Sequence, residues 1–277
     1  MKVNSILVIV AITIAILFFP ILNYAVESHV DSNLELRKSL QLNTTNPSYW
    51  QFFTSSYVHV DHDHFIGNIW GYFIFVIYGL SLALVLDKIK DYLLLMIIGG
   101  ISFGLLSTVV FFSVFTILDS PKMSCGFSGI NAVFLGLILI LWLMFFAKHN
   151  NQKYSYYFDL IGIIMIIIAF GIFLRYLSFE KSNLFYTIAF ILIILSALAF
   201  LLMHYCIRCM EFVSSLMNLF KTSKIVFLYL FFIIFVLIFG ISSSFPSIIS
   251  TDSGTIDIFT HYFGFFYGIC LGFYYFQ

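Results

Sequence analysis

Long apolar runs are the feature that most constrains this chain, because about 20 consecutive apolar residues suffice to cross a lipid bilayer as a helix. Eight such runs can be counted along the 277 residues. Charged side chains make up only 9% of the chain, against about 25% in a typical soluble domain. The sequence therefore predicts an all-α polytopic membrane protein with the lipid bilayer as its surroundings.

The predicted spans are separated by short segments, with one exception near the N-terminus. That exception is a long loop over residues 27–63, and the whole chain, residues 1–277, is expected to form a single membrane domain. A net charge of zero argues against a nucleic-acid-binding protein. The eight spans are predicted at residues 5–26, 64–86, 92–118, 128–147, 157–174, 184–203, 225–241 and 256–276.

The distribution of lysine and arginine predicts the orientation, since cytoplasmic loops carry an excess of both. With the N-terminus inside, the inner segments hold Lys2, Lys88, Lys90, Lys148, Lys153, Arg208, Lys221 and Lys224, and the outer loops hold Arg37, Lys38, Lys122, Arg175 and Lys181. The excess on the inner side favours both termini inside. We expect a multi-pass protein in the plasma membrane of a prokaryote.

The stretch HVDHDHFIGN, which begins at His59, crowds three histidines and two aspartates against an apolar run. A zinc site is one interpretation, because zinc is held by about four such ligands. Cys206 and Cys209 form a CxxC pair, but the chain has no second pair to complete a site. We therefore expect no metal and no cofactor, and we interpret the cluster as polar chemistry at a membrane edge.

The fourth span begins with Gly126-Phe127-Ser128-Gly129. Glycines on both sides of a serine leave its backbone open, so that a carbonyl group can approach the hydroxyl and nearby N–H groups. Taken alone, this short pattern is more typical of simple helix packing.

The last span contains His261, followed by glycines at positions 264, 268 and 272 on one helical face. Small residues at this spacing allow two membrane helices to approach to near backbone contact. A histidine at the top of that face would then lie within hydrogen-bonding reach of a serine on the neighbouring helix. Taken alone, the pattern also fits a packing stripe with an interfacial histidine.

Together these segments supply the parts of a serine hydrolase. Ser128 and His261 provide a nucleophile and a base, which is the minimum that an activated serine needs. His64 and Asn68 are four residues apart on the second span and share one face. With the N–H group of Ser128, they could form an oxyanion hole.

The arrangement resembles the rhomboid family of intramembrane serine proteases. The likeness covers roughly residues 50–147 and 255–275: YWQFFTSSYVHVDHDHFIGN with His59, His64 and Asn68, then GFSG, then DIFTHYFGFFYG. It implies a rhomboid-like helical bundle that hydrolyses peptide bonds of transmembrane protein substrates without a cofactor.

The resemblance also implies residue roles. Ser128 is expected to be the nucleophile and His261 the general base, in a dyad without an acidic third member. His64, Asn68 and the Ser128 amide are expected to form the oxyanion hole. His59 would support the site, as would the glycines Gly126, Gly129 and Gly264.

Two features depart from the family pattern. Trp50 is followed by Gln51, where the family often has an arginine that supports the first loop. The predicted bundle is a six-helix core plus two extra helices, which places three spans rather than one between the serine and histidine helices. Since both numbers are odd, His261 still begins its helix on the Ser128 side.

Two other functions stay open. A catalytically inactive rhomboid-like protein would bind membrane clients without cutting them, although such proteins typically lack the serine or the histidine. A transporter would also need many spans, but transporters tend to have internal repeats and polar groups at mid-membrane.

Overall fold

The computed structural model describes residues 5–117, 123–150, 214, 216–244, 250–251, 254–255 and 258–276. These parts of the chain are mostly helical. The helices are α1 (Ser5–Val30), α2 (Leu34–Leu40), α3 (Gln51–Thr54), α4 (His62–Val85), α5 (Ile89–Ile117), α6 (Ser128–His149), α7 (Lys224–Ser244) and α8 (Ile258–Tyr275). Two short antiparallel ladders join β1 (Leu42–Asn43) to β2 (Met123–Ser124), and β3 (Ser250–Thr251) to β4 (Gly254–Thr255).

Six of the eight predicted spans coincide with helices, and the other two, residues 157–174 and 184–203, lie outside the described residues. Within the described ranges, four helices are long and apolar enough to cross a membrane: Ile12–Val30, His62–Val85, Ile89–Ser113 and Ser128–His149. This agrees with an all-α membrane protein. The count of eight spans stays a prediction.

The predicted loop 27–63 is largely structured. α1 continues to Val30, and α4 begins at His62 rather than at residue 64. Between them lie α2, β1, α3 and a single 3-10 turn over Ser55–Tyr57. Apolar periodicity cannot reveal such short elements, because their stability comes from side chain–backbone hydrogen bonds and not from a buried stripe.

The chain divides into two compact units. The first comprises Met1–Leu141 and Gly240–Gln277, and the second comprises Trp142–Phe239. The first unit contains α1 to α5, most of α6, and α8. Every residue of the site described below belongs to this first unit.

The core of the first unit contains an aromatic cluster that includes Phe127, the residue immediately before Ser128. The Phe127 ring lies 5.5 Å from Phe19 of α1 and 5.9 Å from Tyr72 of α4, measured between centroids. Phe134, two turns along α6, contacts the same two rings at 6.0 and 5.6 Å. All four side chains are buried, so α1, α4 and α6 are held together at the level of the serine.

The segment between α1 and α4 is attached to α5 by two buried hydroxyl groups. Ser56 Oγ donates to the carbonyl oxygen of Gly104 at 2.9 Å, and Thr108 Oγ1 donates to that of Phe52 at 2.8 Å. β1 then pairs with β2, which lies just before Ser128. This segment is thereby fixed to the residues that lead into the serine helix.

Candidate active site

Ser128 occupies the first position of α6, after a turn that only glycine adopts readily. Gly126 has φ +119°, a backbone conformation that residues with a Cβ rarely adopt, and its N–H donates to the carbonyl oxygen of Ser55 at 2.9 Å. The N–H groups in the first turn of a helix have no partner within the helix. The Ser128 N–H is therefore positioned as a donor that the helix itself does not use.

His261 lies in the first turn of α8 and contacts the serine directly. Its Nε2 atom is 2.6 Å from Ser128 Oγ, across 133 positions of sequence. The imidazole is buried. Since α6 and α8 both begin at this contact, the two helices extend from the site in the same direction. The predicted odd number of intervening spans requires the same direction.

Glycines bring α6 and α8 into backbone contact, and we call this contact the glycine seam. A Cβ atom added at Gly264 would meet the carbonyl oxygen of Gly129, and one added at Gly268 would meet that of Val133. From the other side, a Cβ at Gly136 would meet the backbone of α8 at Phe265. The predicted small-residue packing is thus present, and it sets the separation of the serine and histidine helices.

His64 lies close to the serine. A Cβ atom built at Gly126 would lie 3.0 Å from His64 Cε1, 3.6 Å from His64 Nε2 and 3.8 Å from Ser128 Oγ. The histidine ring and the hydroxyl therefore flank the same small gap, which the absent side chain of Gly126 leaves open. A reacting carbonyl placed in that gap would meet both groups.

The start of α4 is fixed by a residue to which sequence reasoning gave no role. Asp61 Oδ1 accepts a hydrogen bond from the backbone N–H of His64 at 2.8 Å, which caps the helix. An Asx residue three positions before the capped N–H is the usual N-cap arrangement. That pattern was readable in the sequence, and it also explains why α4 begins at His62.

Asn68, one turn after His64, is buried and contacts a residue that the sequence did not single out. Asn131 Nδ2 donates to the backbone carbonyl of Asn68 at 2.8 Å and lies 3.4 Å from Asn68 Oδ1. Within the described part of the chain, Asn68 Nδ2 is buried without a hydrogen-bond partner. A buried donor without a partner is the kind of group that an oxyanion would satisfy.

His59 belongs to a buried charged cluster that joins α1 to the α1–α4 segment; we call Glu27, Arg37 and His59 the buried ion cluster. Arg37 Nη2 pairs with Glu27 Oε1 at 2.7 Å, and Arg37 Nη1 donates to the carbonyl oxygen of His59 at 2.9 Å. Glu27 Oε2 is 3.5 Å from His59 Nδ1. The His59 ring meets the His64 ring edge to face, with centroids 5.5 Å apart.

Sequence reasoning missed the roles of Glu27 and Arg37, which it placed in the long outer loop over residues 27–63. The available signal was a glutamate at the end of an apolar run, because charged groups at membrane depth are expensive and usually paired. Which arginine would pair with it depends on how the loop folds back, and spacing in the sequence does not contain that information.

Gln51 stabilises the loop at the position where an arginine was expected. Its Oε1 atom accepts from the backbone N–H of Ser48 at 3.0 Å and of Asn43 at 3.4 Å, while its Nε2 donates to the carbonyl oxygen of Ser39 at 3.0 Å. Its side chain is buried. Although Gln51 replaces the expected arginine, it still supplies hydrogen bonds that hold the loop backbone together.

Cys125 lies three residues before Ser128 and is the other nucleophilic side chain at the site. Desolvation raises the pKa of its thiol to about 12. A thiol attacks as the thiolate, so Cys125 stays protonated and unreactive near neutral pH. Ser128, hydrogen-bonded to a histidine, is the group that can be activated.

The histidine-rich stretch is not arranged as a metal site. Among the described residues, no group of three or more His, Cys, Asp or Glu side chains is placed to hold a metal ion. The His59 ring faces Glu27 and His64, whereas the His62 ring packs against Phe65 at 5.8 Å. The Cys206–Cys209 pair lies outside the described residues.

Comparisons of the chain with protein-family models, with curated proteins and with solved structures find no match. Function must therefore be argued from the geometry of the site.

Proposed function

We propose that this protein is an intramembrane serine protease of the rhomboid type, which hydrolyses peptide bonds of membrane-spanning substrates with the dyad Ser128 and His261. The observation that carries the proposal is the 2.6 Å contact between His261 Nε2 and Ser128 Oγ where α6 and α8 begin. The nucleophile, the base and the candidate donor His64 come from three separate segments of sequence: His261 contacts Ser128, and both His64 and Ser128 Oγ lie within 4 Å of a Cβ position built at Gly126.

The reaction follows from the positions of these groups. Ser128 Oγ attacks the scissile carbonyl carbon while His261 Nε2 takes its proton, which His261 then returns to the leaving amine. Water then attacks the resulting ester. His261 takes a proton from the water and returns it to Ser128 Oγ, which releases the acid and restores the serine. The negative oxygen that forms in both steps is held by the Ser128 N–H, His64 and Asn68 Nδ2.

A substrate helix must unwind locally before cleavage, because its own turns shield the peptide bond. Glycine or proline near the scissile bond lowers the cost of unwinding. With both termini of the protein inside, the site lies at the outer face of the membrane. The polar residues before α4 would then line the entry of water.

The test is labelling with a serine-reactive fluorophosphonate, together with hydrolysis of a single-span substrate in lipid vesicles. We expect the native chain to be labelled, Ser128→Ala to be unlabelled, and His261→Ala to react about 10²- to 10⁴-fold more slowly, as loss of a general base predicts. Ser107→Ala is the matched control, since that buried serine on α5 donates only to its own helix.

Undiminished labelling of Ser128→Ala would contradict the assignment of the nucleophile. A folded native chain that is neither labelled nor active would support the alternative function, an inactive rhomboid-like protein that binds membrane clients.

A further inference from the structure

Asn131 lies one turn after Ser128, on the part of α6 that faces α4. Its side chain is buried, and it reaches α4 at Asn68 through the 2.8 Å hydrogen bond to the backbone carbonyl. Gly71 of α4 is close by, since a Cβ atom there would lie 3.4 Å from Asn131 Nδ2, at van der Waals distance. Burying an amide where two helices cross costs free energy unless the amide is hydrogen-bonded.

The hydrogen bonds at this crossing have a fixed direction. The backbone carbonyl of Asn68 can only accept, so the end of the Asn131 amide that faces it must be the donor, Nδ2. The same Nδ2 lies 3.4 Å from the side chain of Asn68, and a donor there favours Oδ1 as the nearer end. The remaining end of the Asn68 amide is then its donor, Nδ2, which is buried and unpartnered among the described residues.

We propose that Asn131 is a positioning residue that orients the Asn68 carboxamide with Oδ1 toward Asn131, which leaves Nδ2 available as an oxyanion donor. This inference rests on the proposed function. A free asparagine amide could present either end to the reacting oxygen, and its carbonyl end would repel a negative charge. Asn131 removes that ambiguity before the substrate binds, so no reorientation is needed during the reaction.

The test is a double-mutant cycle between Asn131→Leu and Asn68→Ala, with kcat and KM measured on the same single-span substrate in vesicles. Leucine has the same branching at Cγ as asparagine and no donor, although its side chain is larger. Loss of one oxyanion donor costs roughly 10²- to 10³-fold in kcat, so we expect Asn131→Leu to lower kcat by about tenfold or more with little change in KM. In the Asn68→Ala background, Asn131→Leu is expected to have no further effect on kcat.

Two results would overturn this inference while leaving the proposed function intact. One is a native kcat in Asn131→Leu, and the other is an equal loss of kcat with and without Asn68. A role limited to packing would appear in the thermal unfolding temperature and would not depend on Asn68. Asn131→Ala gives the same comparison if the leucine variant fails to fold. If the native chain has no Ser128-dependent hydrolysis, both the inference and the proposed function fall.

Discussion

The two sides of the candidate site are built by different physical means. On the nucleophile side, the glycine seam holds α6 against α8, and the distance between Ser128 and His261 follows from backbone contact. On the other side, called the oxyanion side after the proposed donors His64 and Asn68, buried charges and a hydrogen bond join α1 to the α1–α4 segment, and a hydrogen bond from Asn131 holds α4. The Ser128–His261 side therefore requires glycines without a side chain at the helix contact, whereas the His64–Asn68 side requires paired charges and hydrogen-bond donors.

The glycine seam is where a small change is expected to have the largest effect. A Cβ at Gly268 would meet the carbonyl of Val133, so Gly268→Val must push α6 and α8 apart. Overpacking costs about 1–3 kcal/mol, and a misplacement of about 1 Å in a reacting group costs roughly 10²-fold in rate. We expect lower thermal stability in detergent and hydrolysis reduced at least about 100-fold.

Gly67→Ala is the control for that substitution. Gly67 is also a helical glycine, but a Cβ there would meet nothing within 4 Å. Alanine at an open helical site stabilises by about 0.5–1 kcal/mol relative to glycine. If Gly268→Val retained native hydrolysis while both variants folded, backbone contact would not be what positions the dyad.

The buried ion cluster is the corresponding point on the oxyanion side. Glu27→Gln keeps the size of the side chain but leaves the buried Arg37 without its closest counter-charge at 2.7 Å. Breaking a buried pair costs about 3–5 kcal/mol, and we expect the lower end because the amide oxygen can still accept a hydrogen bond. The thermal unfolding temperature should fall by a corresponding amount. We expect kcat to fall less than it does in Gly268→Val.

Asp31→Asn is the matched control, because Asp31 contacts the same Arg37 nitrogen at 3.3 Å. Its side chain is 61% exposed, against 3% for Glu27. Exposed pairs contribute about 0–1 kcal/mol, so this variant should unfold nearly as the native chain does. Equal losses for the two substitutions would mean that burial of the Glu27 pair is not what stabilises this side.

The same contrast explains how much of the site could be predicted from sequence. Glycine spacing and the four-residue interval between His64 and Asn68 are local patterns, and each already fixes which side chains share a helical face. The four candidate spans among the described residues were predictable because a long apolar run is also a local pattern. The proximity of Ser128 and His261 was predicted from two such patterns and from the odd number of predicted spans between their helices.

Contacts on the oxyanion side could not be predicted in this way. Glu27 meets Arg37 only because the predicted loop folds into α2 and returns to α1. The sequence does not distinguish Asn131 from other polar residues in a predicted span, because its partner Asn68 lies 63 positions earlier. Pairing of individual polar groups depends on three-dimensional geometry to a few tenths of an ångström, and no periodicity in the sequence records it.

Asp61 tests the oxyanion side where the expected effect is smallest. Asp61→Ala removes the cap at the His64 N–H, which costs about 1 kcal/mol at a typical N-cap. Asp61→Asn retains an acceptor of the same geometry and should unfold like the native chain. Because His64 is in the first turn, fraying of α4 loosens one oxyanion donor, and kcat should fall by only a few-fold. A change in KM alone would mean that Asp61 acts on substrate entry rather than through His64.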